Sequence, residues 1–138
     1  MHKKAMTLLE LLMVVIIVGV LATLGLINYG PLKEKRMQKL AAVALKYIQA
    51  AEELYQVEYR HYYPGPTGSI TSDTTANLDS INEFLRLSLD KPDQGWTYKI
   101  NVPTVTTYTL TATRNDTSGC VATQNKGDDQ PAYNSSCK

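Results

Sequence analysis

The sequence predicts an α+β fold in which a long N-terminal helix, apolar in its first half and amphipathic in its second half, packs on a small antiparallel sheet. Three observations lead to this prediction. An apolar run extends from Met6 to Ile27 and contains Glu10 as its only charged residue. The next segment, up to about Tyr62, repeats apolar residues at intervals of three and four, which is typical of an amphipathic helix. The last third alternates apolar and polar residues between clusters of Thr, Asn, Asp, Ser and Gly, which is typical of short strands and turns.

Size and charge exclude several classes of function. The chain's 138 residues allow one compact domain and one accessory element, and a net charge of +1 gives no overall field for gathering nucleic acid. The sequence contains no GxSxG, no HExxH and no phosphate-binding glycine loop, so it predicts a protein that is not an enzyme and uses no cofactor. DNA binding stays a weaker alternative, because scattered Lys and Tyr side chains could form a strip in an assembly.

The apolar run has the length of a membrane helix, since an α-helix from Met6 to Ile27 would be roughly 33 Å long. Three interpretations compete: a plain anchor, a secretory signal peptide, and a segment that lies first in a membrane and later in a protein assembly. A plain anchor gains nothing from Glu10, because a carboxylate within the bilayer costs roughly 2.5 kcal/mol or more. A signal peptide, for which Ala22 and Gly25 offer weak cleavage positions, does not need that carboxylate either.

The residues of this region resemble the N-terminal region of the type IV pilin and pseudopilin family. The resemblance covers KKA-MTLLELLMVVIIVGVLATLGLINY and extends over roughly residues 3 to 60. It implies a class III signal, in which a prepilin peptidase removes a leader, residues 1–5, by cutting between Ala5 and Met6, and Met6 is then N-methylated. It also implies that Glu10 is the family glutamate at the fifth position of the mature chain. The family usually has Gly and Phe at the two cleavage positions, so this sequence departs from its pattern there.

The resemblance suggests a physical reason for Glu10. Cleavage creates a cation at Met6, and a carboxylate on an adjacent subunit makes burial of that cation tolerable. Such a pair favours one register between neighbouring helices.

The function that the resemblance implies is that of a structural subunit of a type IV pilus, which polymerises through its N-terminal helix. A pseudopilin of a type II secretion system is an alternative, and a membrane-anchored binding module that never polymerises is an alternative of another class. The implied partners are other copies in a helical homopolymer, the prepilin peptidase, the inner-membrane assembly machinery and, before assembly, the membrane. The precursor would lie in a bacterial inner membrane, and the product in a cell-surface filament, or in the periplasm for a pseudopilin. Roles in adhesion or motility stay open.

The amphipathic segment carries a graded charge, with basic residues first and acidic residues later. This order opposes the helix dipole, which prefers acids first. One interpretation is that the charges serve contacts between subunits, but an ordinary solvated face is the favoured alternative. The basic residues are Lys33, Lys35, Arg36 and Lys39, and the acidic residues are Glu52, Glu53 and Glu58.

We divide the chain into the leader, an apolar helix over 6–30 and a globular head over 31–138. The apolar face of the amphipathic helix is predicted to pack on the sheet, and Asn77 or Asp79 could cap a short second helix. That apolar face consists of Leu40, Val43, Ala44, Tyr47, Ile48, Ala51, Leu54, Tyr55, Tyr59 and Tyr62. The predicted elements of the head are helices over about 31–62 and 78–89, a loop over 63–77, and strands over 96–102, 107–113 and 119–123.

Cys120 and Cys137 are the only cysteines, and both lie in the terminal polar segment. They lack CxxC spacing, and the histidines lie far away in sequence, so a disulfide is favoured over a zinc site or a catalytic thiol. A disulfide requires an oxidising compartment and would bound a loop over 120–137. Three oxygen-bearing residues of this loop are too weak a signal for calcium, so no metal site is predicted. They are Asn125, Asp128 and Asp129.

Overall fold

The computed structural model of the chain describes residues 7–27, 29–89, 95–116 and 118–137. These residues form helices and an antiparallel sheet, which confirms the predicted α+β class. The helices are α1 (Leu8–Ile27), α2 (Tyr29–Tyr59) and α3 (Thr75–Phe84). The strands are β1 (Ser69–Thr71), β2 (Trp96–Thr104), β3 (Thr107–Arg114), β4 (Val121–Asn125) and β5 (Ala132–Tyr133).

The chain divides into two compact units, with the division between Lys35 and Arg36 rather than at the predicted boundary after residue 30. The first unit contains α1 and the start of α2. The second unit contains the rest of α2, α3 and the whole sheet.

The sheet is an antiparallel meander in the order β1-β2-β3-β4-β5. Alternation along β2 buries the side chains of Trp96, Tyr98 and Ile100, as their spacing in the sequence predicts. The pairing of β2 with β3 shifts register between Asn101 and Thr104. Pro103 lies in this irregular part, where the lack of a backbone N–H removes the fewest hydrogen bonds between the strands.

The core lies between the sheet and one side of α2. Ala41, Leu45 and Ile48 from the helix join the buried residues of β2, β3 and β4 in one hydrophobic cluster. Three polar contacts link the same helix to three successive strands. They are Tyr108 Oη to Glu53 Oε1 at 3.2 Å, Gln124 Nε2 to Gln49 Oε1 at 2.5 Å, and Tyr133 Oη to the carbonyl of Gln38 at 2.8 Å.

The first head helix ends three residues before the predicted Tyr62. Arg60 has a φ of 65°, a left-handed conformation that cannot continue an α-helix. The chain then turns back, and Tyr62 and Tyr63 are buried in the core.

The second head helix, α3, lies earlier than the predicted 78–89. Thr74, rather than Asn77 or Asp79, is its N-cap: the backbone is extended there and the side chain accepts a hydrogen bond from the backbone N–H of Asn77 at 3.2 Å. At the other end, the amide of Asn82 bonds both the N–H and the carbonyl of Leu89, at 2.8 and 3.2 Å. These bonds hold the segment after Phe84 in a conformation that is not helical.

Two short strands fall where the sequence predicts loops. β1 lies inside the predicted loop over 63–77 and pairs Ile70 with Ile100, while β5 lies inside the disulfide-bounded loop and pairs Ala132 with Thr123. Each is too short to show an alternating pattern, so pairing with the neighbouring strand defines it.

Candidate assembly surfaces

The predicted cleavage and methylation positions, Ala5 and Met6, lie outside the described residues, as does the rest of the leader. Both remain predictions from the sequence.

Glu10 lies in the first turn of α1, and its side chain is exposed. Its backbone N–H approaches Oγ1 of Thr7 at 3.3 Å and the Thr7 carbonyl at 3.1 Å. Thr7 followed three residues later by Glu is the capping-box sequence, and a carboxylate in the first turn also interacts favourably with the helix dipole. Thr7 therefore contributes to the start of α1 through its hydroxyl and its carbonyl, and the Thr-x-x-Glu spacing that is typical of a helix start is visible in the sequence.

The apolar side chains of α1 are exposed from Leu8 to Leu21. From Leu8 to Leu21 the exposed fraction of the large apolar side chains ranges from 48% at Val14 to 82% at Leu8. A contiguous apolar surface of this extent marks a site of contact with other molecules. In the part of the chain that the structure describes, no helix has the length and apolar character needed to cross a membrane.

A second apolar surface lies on α2, on the side away from the sheet. Its residues alternate intervals of three and four, the spacing by which one helix packs along another. The exposed fraction of its large side chains ranges from 52% at Leu40 to 73% at Leu54. We call it the α2 outer stripe, and it consists of Leu40, Val43, Tyr47, Ala50, Leu54 and Val57.

The α2 outer stripe corrects the predicted packing of this helix. Leu40, Val43, Tyr47 and Leu54 are exposed, so the prediction that they pack on the sheet is wrong. Successive helical residues are about 100° apart, and the fully buried Leu45 lies roughly 140° around the helix from Leu40. The apolar face predicted from three-and-four spacing therefore includes residues that pack in the core and residues that are exposed to solvent.

An apolar cleft of about 510 Å³ adjoins the α2 outer stripe. It lies between α2 and the C-terminal end of α3 with the residues that follow it, where Phe84 and Leu87 form its second wall. An ion pair at 3.6 Å between Arg86 and Glu58 lies beside it. The cleft makes the C-terminal half of the α2 outer stripe concave.

The basic residues predicted for subunit contacts, Lys33, Lys35, Arg36 and Lys39, are all exposed at the start of α2. The acidic residues predicted for the same role divide into three cases. Glu58 is exposed and pairs with Arg86, whereas Glu53 is half-buried and accepts the hydrogen bond from Tyr108.

Glu52 is fully buried, which excludes it from contacts made through the surface of this unit. Its Oε2 accepts a hydrogen bond from the backbone N–H of Tyr63 at 2.9 Å, and its Oε1 has no hydrogen-bond partner in the described part of the chain. Burial raises the pKa of Glu52 to about 8, an effect that the Tyr63 N–H opposes and the neighbouring charge of Glu53 increases. The helical periodicity placed it on the polar face, but the chain turns back after α2 and brings the backbone of Tyr63 against it.

The predicted disulfide is present between Cys120 and Cys137, at a sequence separation of 17. The loop that it bounds is held by further bonds, since the side chain of Asn134 accepts from the Val121 N–H at 3.1 Å and donates to the Gly119 carbonyl at 2.9 Å. The disulfide and these hydrogen bonds therefore attach the terminal loop to the rest of the second unit.

Two of the three oxygen-bearing residues of the loop make hydrogen bonds within the protein, and the Asn125 Oδ1 accepts from the Thr109 hydroxyl at 3.2 Å. The carboxylate of Asp128 accepts from the Asn125 N–H at 2.8 Å and closes a turn. Among the residues that the structure describes, no three His, Cys, Asp or Glu side chains converge as metal ligands.

Comparisons of the chain with protein-family models, with curated proteins and with solved structures found no match.

Proposed function

We propose that this protein is the structural subunit of a filament of the type IV pilus kind, in which α1 of each copy is buried among helices of other copies. The observation that supports the proposal is the exposure of α1, where every described large apolar side chain from Leu8 to Leu21 is at least 48% exposed. Burying one such side chain contributes about 1.5–3 kcal/mol, so a helix with a dozen or so of them has a large driving force for association.

The processing steps in this proposal rest on the sequence. Removal of residues 1–5 would leave Met6 as an N-methylated amino terminus, directly before Thr7 and four residues before Glu10. Before assembly, the run from Met6 to Ile27 would lie in a bacterial inner membrane, where its apolar side chains would contact lipid.

The second unit suits the outside of such a filament. Its hydrophobic core is closed between α2 and the sheet, and the Cys120–Cys137 disulfide secures its terminal loop. A disulfide persists in an oxidising compartment such as the periplasm or the cell exterior.

The test is intact-mass spectrometry on protein sheared from the cell surface. We expect a chain that lacks MHKKA and carries one methyl group and the disulfide. An unprocessed chain that stays with the membranes would contradict the proposal and indicate a non-polymerising anchored module. A processed chain that stays there would indicate a pseudopilin instead of a pilus subunit.

A matched pair of variants connects this test to α1. Ile16 and Val105 are 58% and 49% exposed, and Val105 lies in the turn between β2 and β3. We expect Ile16→Glu to abolish the sheared fraction and Val105→Glu to leave it unchanged. Equal yields from both variants would show that α1 is not the assembly surface.

A further inference from the structure

We propose that the contact between Glu52 and Tyr63 is a pH-sensitive switch, in which ionisation of Glu52 releases the segment that follows Tyr62 and separates the two walls of the apolar cleft. We call this segment, residues 63–68, the return segment. The switch lies wholly within the second unit and does not depend on the proposed filament.

A hydrogen bond joins the return segment to the buried side of α2. The Tyr63 N–H donates to Oε2 of Glu52 at 2.9 Å, while Oε1 of the same carboxyl has no hydrogen-bond partner in the described part of the chain. A protonated carboxyl suits this site, because it accepts the N–H without placing a charge in the core. Among the described residues no cation forms an ion pair with Glu52, so its ionised form favours a conformation that brings water to it.

The groups around Glu52 make its ionisation the charge change at this contact. Burial raises the pKa of Glu52, and the neighbouring carboxylate of Glu53 raises it further. Three tyrosines, one each from α2, the return segment and β3, also interact electrostatically with Glu52, and burial raises the pKa of each above its ordinary value of 10. They are Tyr55, Tyr63 and Tyr108. These tyrosines therefore stay uncharged over the pH range in which Glu52 titrates.

The return segment has little support from its own backbone. Two of its residues are prolines, which have no N–H to donate, and two are glycines. Thr67 has a φ of 61°, a left-handed conformation that strains a β-branched residue. The Gly68 N–H donates to the Gly65 carbonyl at 3.0 Å, a bond that closes a turn within the segment and does not attach it to α2. Loss of the bond to Glu52 should therefore release the segment.

Both ends of the return segment are held in the second unit, so its release is local. Before it, the buried ring of Tyr62 packs edge to face on Tyr108, with 4.7 Å between the ring centroids. At its other end, the Gly68 carbonyl accepts a hydrogen bond from the Val102 N–H of β2 at 2.9 Å. The segment can move between these two points while the core stays closed.

The Tyr63 ring connects this release to the apolar cleft. It stacks on Phe84 with 5.1 Å between centroids and meets Tyr55 edge to face at 5.7 Å. Tyr55 and Phe84 belong to opposite walls of the cleft, on α2 and at the end of α3. Departure of Tyr63 removes this link, and the exposed ion pair between Arg86 and Glu58 that also joins the walls is a weak one.

The direction of the switch follows from the two states of Glu52. With Tyr63 in place the pKa of Glu52 is about 8, whereas a released and hydrated carboxyl returns towards 4.5. The open form therefore gains on the closed form as pH rises from about 4.5 and levels off above about 8. The gain is up to about tenfold per pH unit within this range.

Hydrogen exchange of the full chain in detergent micelles, measured by mass spectrometry between about pH 5 and 8, tests the switch. After division by the intrinsic exchange rate, opening of the return segment and of the end of α3 should increase by up to about tenfold per pH unit. Protection of β3 should be far higher at every pH, because β3 opens only in global unfolding. Equal protection of β3 and the return segment would overturn the switch, since Glu52 would then ionise only in the unfolded chain.

Glu52→Gln and Glu58→Gln are the matched variants. Gln at position 52 can accept the Tyr63 N–H but does not titrate, so the pH dependence of opening should disappear, whatever the overall stability of the variant. Glu58 is exposed on the same helix, and its replacement should leave the pH dependence in place. A pH dependence that survives in Glu52→Gln would overturn the proposal, as would exchange at the end of α3 that does not follow the return segment.

Discussion

The backbone N–H of Tyr63 donates a 2.9 Å hydrogen bond to Oε2 of Glu52, and this contact ties the chain that follows α2 to the buried side of that helix. The carboxyl group is fully buried, and its pKa of about 8 means that it is mostly protonated at neutral pH. The uncharged form avoids most of the cost of placing a carboxylate in the core.

Stability should therefore fall as pH rises. In the unfolded chain the pKa of Glu52 returns to its ordinary value of 4.5, so between about pH 4.5 and 8 the folded state holds a proton that the unfolded state has lost. The stabilisation is fully present below pH 4.5 and is lost as pH rises through 8, at up to about 1.4 kcal/mol per pH unit.

Chemical denaturation of the wild type and of Glu52→Gln across this pH range measures the effect. The neutral amide can still accept the Tyr63 N–H but does not titrate, so the difference in unfolding free energy should move in favour of the variant as pH rises. Glu58→Gln, at an exposed position, should leave the pH dependence of the wild type nearly intact. A wild-type curve parallel to that of Glu52→Gln would show that Glu52 is not the group responsible.

Tyr108→Phe should destabilise the second unit by about 1 kcal/mol. The change removes the 3.2 Å bond from the Tyr108 hydroxyl to Glu53, which connects β3 to α2, and leaves the ring in place. Tyr59→Phe is the control, since Tyr59 is half exposed at the end of α2. Thermal unfolding that shifts equally for both variants would contradict the role of this bond.

Thr74→Ala should cost about 1 kcal/mol by removing the side chain that caps α3. Thr75→Ala, one residue later and inside the helix, should be neutral or slightly stabilising, because Ala has the higher helix propensity. The comparison isolates the cap from the general effect of replacing Thr by Ala. If the two variants unfold at the same denaturant concentration, the cap contributes little.

Loss of the disulfide should lower the free energy of unfolding by about 3 kcal/mol, as expected for a closed loop of this size. The double variant Cys120→Ala and Cys137→Ala keeps the buried position apolar and measures this loss. A reducing agent should destabilise the wild type by a similar amount and leave the double variant unchanged. A large effect of reductant on the double variant would locate the sensitivity elsewhere.

The sequence predicted the central strands well because period-two alternation survives in any sheet with one buried face. β2 and β3 lie within two residues of their predicted bounds, with Tyr98 and Leu110 buried as expected. β1 and β5 were missed because strands of three and two residues carry no pattern of their own. Their existence depends on the neighbouring strand that each one pairs with.

The candidate surfaces show a different limit of sequence reasoning. The exposed basic residues and Glu10 could be placed from the sequence, since charges on a helix face solvent unless something covers them. The burial of Glu52 could not be predicted, because it depends on the return of the chain at Tyr63 after a turn at Arg60 that no sequence pattern indicates. The sequence also did not separate the α2 outer stripe from the residues that pack on the sheet. Spacing alone does not show which part of a wide apolar helix face contacts the sheet.

The basic start of α2 gives the last prediction. Lys35 and Arg36 are exposed near the start of α2, and reversing both to Glu would place two negative charges in the basic segment that the proposed filament contacts could use. We expect the double variant Lys35→Glu and Arg36→Glu to lose most of the sheared filament while the second unit keeps its thermal unfolding midpoint, because exposed charges contribute less than about 1 kcal/mol to stability. Replacing both by Gln should cause a smaller loss, since that change removes the attraction without adding repulsion. A wild-type filament yield from the Glu variant would show that these charges face solvent in the assembly.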